Sequence, residues 1–138
     1  MFTIMDAQAQ RAIDKYFRAV KAANENWAVV DALSEQGWPN NDEEAQRAFL
    51  GALSDANSLD GEAIGILNTL IEFGIVAEGE SPYEAYFEGR LVGRGFFHSE
   101  GYATTYYNAQ LEQVNPLWNV TEMRMLEFNP GERGEQHV

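Results

Sequence analysis

Residues 81–97 read SPYEAYFEGRLVGRGFF, and this stretch decides the fold class, because here the apolar period drops from about 3.6 residues to 2. Tyr83, Ala85 and Phe87 alternate with Glu84, Tyr86 and Glu88; Glu88-Gly89 offers a two-residue turn, and Leu91 to Phe97 returns as a second strand. The expectation is a β-hairpin over 83–97. Downstream, Ser99 is placed to cap a helix carrying Ala103, Tyr107, Leu111 and Val114, Asn115-Pro116 stops it, and residues 118–128 read as a last, imperfectly alternating strand.

Upstream the period is helical. Ile13, Phe17 and Val20 share one face of a first helix opened by a Thr3/Asp6 capping box. Its stripe resumes at Trp27 and Val30 after the polar Asn24-Glu25-Asn26, and Gly37 ends it before a turn at Trp38-Pro39-Asn40. Asn41 with Glu44 caps a second helix bearing Ala45, Phe49, Ala52 and Leu53. Asp60 caps a third with Ile64, Leu67, Leu70 and Ile71, closed by Gly74 with Ile75 following as in a Schellman cap. Helices followed by strand, strand, helix and strand predict an α+β fold, N-terminal helices packed on a small β-β-α-β sheet unit. A single domain is expected over 1–128, helical over about 4–76 and β-β-α-β over about 83–128, with 129–138 as a flexible tail.

The charge is as uneven as the period. Of a net −13 over 138 residues, residues 25–89 hold all of it, with fourteen Asp and Glu against the single base Arg47, while the flanks nearly cancel. From Ala48 to Gly89 no Lys, Arg or His occurs, and Asp55, Asp60, Glu62, Glu72, Glu78, Glu80, Glu84 and Glu88 accumulate. Such a field repels phosphate and attracts basic surfaces. With 45% hydrophobic residues and 12% aromatic, the chain is outside the low-hydrophobicity class of disordered sequences. The absence of cysteine removes disulfides, thiol nucleophiles and thiolate metal sites. Met1 to Asp6 has neither the basic start nor the apolar run of a signal peptide, so a soluble, cytoplasmic protein is expected.

Catalytic chemistry has few candidates. His98 and His137 are the only imidazoles, and in His98-Ser99 the serine reads as a helix N-cap. Asp55-Ala56-Asn57-Ser58-Leu59-Asp60-Gly61 has the look of a calcium loop but lacks acidic or amide oxygens at Ala56 and Ser58 and a Glu at Leu67. Gly93-Arg94-Gly95 lies inside a strand without the Lys-Ser/Thr of a phosphate loop, so its glycines mark a bulge or a close approach by the following helix. Tyr102 and Tyr106 share a helical face and, with Tyr83, Tyr86 and Tyr107, form either a recognition surface or the packing between helix and sheet.

Residues 58–73, ending Leu70-Ile71-Glu72-Phe73-Gly74-Ile75-Val76 and followed by the hairpin, resemble the recognition helix and wing of winged-helix proteins over about 40 residues. That resemblance implies a DNA-facing helix, which needs Lys or Arg against phosphates; this helix has none, leaving a surface that has lost DNA binding or one that binds a basic protein. In charge and size the chain is similar to small counter-defence proteins of phages and plasmids. The leading expectation is therefore a non-catalytic inhibitor or adaptor, in its most specific form a nucleic-acid mimic, binding a basic protein through Asp55, Asp60, Glu62, Glu72, Glu78, Glu80, Glu84, Glu88 and Tyr86, with no cofactor or metal and no direct nucleic-acid or membrane binding. Two alternatives stay open: a small enzyme or ligand-binding domain with its site between sheet and helices, and a structural domain whose acidic surface only keeps it soluble.

Overall fold

The computed structural model describes residues 4–35 and 42–128. The elements follow as α1 (Ile4–Glu35), α2 (Glu43–Glu72), β1 (Ser81–Phe87), β2 (Arg90–Phe97), α3 (Glu100–Val114) and β3 (Glu122–Met125). The α+β class and the order of helices before a β-β-α-β unit agree with the sequence reading. The helix count does not. Asp60 opens no third helix, because α2 runs unbroken through the stretch that resembled a calcium loop. Thr3, Gly37 to Asn41 and the tail from Asn129 lie outside the described residues.

The reason α2 is continuous is its 4-3 repeat: Phe49, Leu53, Ala56, Asp60, Ala63, Leu67 and Leu70 are all buried or half-buried on one side. Tertiary packing of such a face outweighs the cost of about 1 kcal/mol for each of Gly51, Gly61 and Gly65. Nor do residues 58–73 form a separate recognition helix, since they are the second half of this one. Asp42 supplies the cap at its start, its Oδ1 accepting from Glu44 N at 3.0 Å. At its end Gly74, at φ +73°, closes a Schellman motif in which Ile75 N donates to Leu70 O at 2.9 Å and Gly74 N to Ile71 O at 3.0 Å.

The chain divides into two compact units, residues 4–17 with 68–127 and residues 18–67 with Phe128, so the boundary cuts through both long helices rather than between helices and sheet. In the second unit α1 and α2 pack around Trp27, Val30, Phe49 and Ala56, with Leu33, Ala52 and Leu53 at the margin. Asn26, expected in a polar interruption, sits inside α1 and donates from Nδ2 to Ala52 O at 2.9 Å. Deeper in, the Trp27 indole N–H donates to both carboxylate oxygens of Asp60, at 3.0 and 2.9 Å, and Asp60 is only 6% exposed.

In the first unit the strand order is β2-β1-β3, and both pairings are antiparallel. The hairpin turns at Glu88 (φ +48°) and Gly89 (φ +81°), two left-handed residues as a type I′ turn requires. Ala85 faces Gly93 while Tyr86 faces Leu91, which leaves Val92 as a bulge. α3 crosses all three strands, and Tyr107 presses so closely on β2 that a Cβ at Gly93 would lie 2.6 Å from its Cε1. A Cβ at Gly95 would lie 3.0 Å from the Tyr107 hydroxyl. Of the two expectations for these glycines the close approach is met at both, while the bulge falls beside them at Val92. On the opposite face Tyr16 and Phe17 of α1 meet Phe96 with ring centroids 5.5 and 6.0 Å apart. β3 begins at Glu122 rather than 118, because the segment before it is held by other bonds: Val120 N to Asn108 Oδ1 at 2.7 Å, and Thr121 N to Tyr86 O at 2.9 Å. Among the described residues no helix is long and apolar enough to cross a membrane.

Two stability outcomes follow. Asp60→Ala, which strands the buried indole N–H, costs about 1–3 kcal/mol in urea unfolding, and Trp27→Phe with Asp60→Leu together costs less than the sum of the two single changes. Gly93→Ala, which drives a methyl into the Tyr107 ring, costs about 1–3 kcal/mol and loses most of that cost when Tyr107 is also shortened to Leu.

Candidate functional site

Glu84 sits in mid-β1, the strand paired on both sides, and is 4% exposed. A buried carboxylate needs a partner of opposite charge. The register places Arg94 directly opposite, and its Nε meets Glu84 Oε2 at 2.8 Å, while the Tyr86 hydroxyl donates to Oε1 at 3.3 Å. Arg94 Nη1 also approaches Asp14 of α1, at 3.7 Å from Oδ1. Burial alone would lower the Arg94 pKa, but the hydrogen bond and charge of Glu84, with Asp14 and Tyr86, hold it above the ordinary value. Gln10 completes the corner, its Nε2 donating to Asp14 Oδ1 and to Arg94 O, both at 3.1 Å.

Beside this cluster, at the outer edge of β2, a cleft is lined by Gln10, Asp14, Arg94, Tyr106, Tyr107 and Gln110 together with Leu91 to Gly93. Tyr107 is 4% exposed, and burial, with smaller contributions from Tyr106 and Asp14, pushes its phenol pKa up. Tyr102 and Tyr106 lie on the exposed side of α3 over Phe97, with centroids at 6.4 and 5.3 Å, so the tyrosines divide between packing and surface.

The acidic residues singled out by sequence do not form one site. Asp55, Glu62, Glu72, Glu78 and Glu88 are exposed. Glu80 is half-buried, and its Oε1 accepts from Ala77 N at 2.7 Å to close the turn before β1. Asp60 and Glu84 are corrections to the surface set, since both are buried and held by Trp27 and Arg94. Tyr86 is half-buried beneath the Arg124 guanidinium, 4.6 Å above its ring. Ser99 caps α3, its Oγ accepting from Tyr102 N at 3.1 Å, which engages it with the helix and not with the exposed His98. Among the described residues no three acidic or imidazole side chains gather as a metal site needs.

Of the cleft residues, Gln10, Asp14 and Gln110 were not singled out from the sequence, and Tyr107 only as one of five tyrosines of a recognition surface or a packing layer; the glycine on each side of Arg94 was the signal for the close approach of α3. No protein-family model matches this chain, and no curated protein or solved structure matches it.

The buried phenols predict an alkaline limit. Tyr16 and Tyr107 are raised in the folded state, so the unfolded chain loses these protons first, near pH 10, and the stability they contribute is complete below that pH and lost as pH rises through the folded values. The urea midpoint of the wild type therefore falls more steeply above about pH 10 than that of Tyr107→Phe.

Proposed function

We propose that the chain is a non-catalytic binding module that docks a basic protein surface through the exposed carboxylates of residues 25–89. One observation carries the reading: eleven of the fourteen carboxylates in that segment are exposed, against the one exposed base Arg47. A surface of one sign steers a partner of the other sign at long range and raises its association rate. On α2, Glu44, Asp55 and Glu62 fall within about 20° of one line at 100° per residue, at rises of about 16 and 10 Å. Double-stranded DNA carries a phosphate every 3.4 Å of axis on each strand, so this sparser line supports docking of a basic protein better than imitation of a nucleic-acid backbone. Next to it Gly51, Ser54, Ser58, Gly61 and Gly65 run along the exposed face, and a side chain added at any of the three glycines would meet open space.

The reading places the protein in the cytoplasm, in keeping with a chain that has no cysteine. Nucleic-acid-binding proteins carry the most basic surfaces available there and are the partner class proposed.

The test begins with capture of partners from the native host at about 0.1 M and about 1 M salt, where the screening length falls from about 10 to 3 Å. The recovered partner is expected only at low salt. Reversal of Glu44, Asp55, Glu62 and Glu72 to Lys is expected to slow its association about tenfold or more, and reversal of Glu100, Glu112, Glu122 and Glu127 by less than about threefold. Equal rates for the two variants, or binding unchanged by salt, overturn the proposal.

A further inference from the structure

The outward side of α2 carries a second packing seam. Leu50, Ser54, Asn57, Gly61 and Ile64 follow one another at spacings of 4, 3, 4 and 3 residues and, at about 100° per residue, fall within about 40° of one line about 21 Å long. All five are exposed, Leu50 by 56% and Ile64 by 40%, and none is charged. The side of α2 that faces α1, with Phe49, Leu53, Ala56, Asp60 and Ala63, has the same spacing one residue earlier. Its flank is as particular. Gly51, Ser58 and Gly65 stand between the seam and the line of Asp55 and Glu62, and a Cβ at either glycine would meet open space, so α2 bears the helix-weakening effect of these glycines with no close approach inside the fold that requires them. From Leu50 to Ile64 the helix has no base, since its single one, Arg47, stands before the seam.

An uncharged repeat at this spacing fits the side chains of another helix, and carboxylates along its flank fit bases on that helix. We infer that this face receives an amphipathic α-helix of the basic partner, apolar along one stripe and carrying Lys or Arg beside it, an inference that rests on the proposed function and names the element the partner presents. Ser54 and Gly61 let the two backbones approach, Leu50 and Ile64 bury against the partner's stripe, and Asn57 sets one polar position in the seam. Lysine and arginine side chains have long apolar stems, which lie across Gly51, Ser58 and Gly65, where at most a hydroxymethyl group stands in the way, and their charged ends reach Asp55 and Glu62. Charge also separates this partner from a second copy of the chain. Two molecules of net charge −13 repel, and a second α2 would bring no base to Asp55 or Glu62 from the same stretch.

The experiment is a nitrogen-15 NMR titration of the intact chain with three synthetic helical peptides of about three heptads each. One has Leu and Ala at 4-3 spacing with Lys on the flanking positions, one has Glu in place of each Lys, and one has the residues of the Lys peptide permuted so that its apolar positions no longer share a face. The phased Lys peptide is expected to shift the backbone amides of residues 50–65 and to bind at least about tenfold tighter than either of the others. Leu50→Gln with Ile64→Gln, at two exposed positions and without change of charge, is expected to weaken it about fivefold or more. Leu50→Asp with Ile64→Asp is expected to weaken it further although the chain becomes more acidic, the reverse of what charge attraction alone gives. Equal binding of the phased and permuted Lys peptides, shifts confined to residues outside 50–65, no binding at all, or an affinity within about twofold of wild type for the first pair of substitutions overturns the inference. Self-association in sedimentation that the same pair abolishes assigns the face to a second copy and overturns the basic helix as its occupant. The reversal of Glu44, Asp55, Glu62 and Glu72 separates the two readings. Slowed association of the host partner with all peptides blank removes the helix seam alone, and binding of the phased peptide with unslowed association removes acidic docking of that partner while the seam stands.

Discussion

The carboxylate of Glu84, buried in the middle of the strand that pairs on both sides, is the constraint on which the sheet unit depends. An ion pair broken at such a place costs about 3–5 kcal/mol, so the register has to deliver a base to it. On the β3 side the register sets Arg124 opposite it, within electrostatic reach; on the β2 side the I′ turn alone would bring no base. A two-residue turn that sets Phe87 opposite Arg90 would, in an unbroken ladder, bring Gly93 to Glu84; the bulge at Val92 moves the ladder by one residue and brings Arg94 there instead. The same shift sends Gly93 and Gly95 to the opposite face, where Tyr107 needs their missing side chains. One inserted residue thus satisfies a buried charge on one face and a close helix approach on the other.

Arg94 then reaches beyond the sheet toward Asp14, and Gln10 binds both Asp14 and the Arg94 carbonyl. The cleft is a by-product of this arrangement: α1 meets β2 through Tyr16 and Phe17 on Phe96 and through the polar contacts of Gln10 and Asp14, α3 meets it through Tyr107, and the space between them keeps the mixed character of its walls. In the helical unit Asp60 plays a part comparable to that of Glu84. It stands in an otherwise apolar seam and accepts the Trp27 indole N–H, tying α2 to α1 through a polar contact in that seam that both helices bury.

These two carboxylates change how the acidity is understood. Counted along the chain, Asp60 and Glu84 belong to the same run as Asp55, Glu62 and Glu72; in the folded protein they are interior groups, and reversing them would test stability and not recognition. The remaining exposed carboxylates give the surface its sign.

Local chemistry was enough to determine the hairpin, its Glu88-Gly89 turn, the Ser99 cap, the Gly74 Schellman close and the α+β order, because each depends on residues within a few positions of one another. The sequence likewise determined that residues 25–89 carry the whole net charge. It misread Asp60 as a cap, since aspartate before a glycine has that local preference and only the distant Trp27 indole, 33 residues away, overrides it. It also left Arg94 in a strand with no known counterpart. Which carboxylates are buried, where the bulge falls and which side chains converge at the edge of β2 were decided by tertiary structure alone, because a charge's solvation and partners depend on what folding brings next to it and not on its neighbours in the chain.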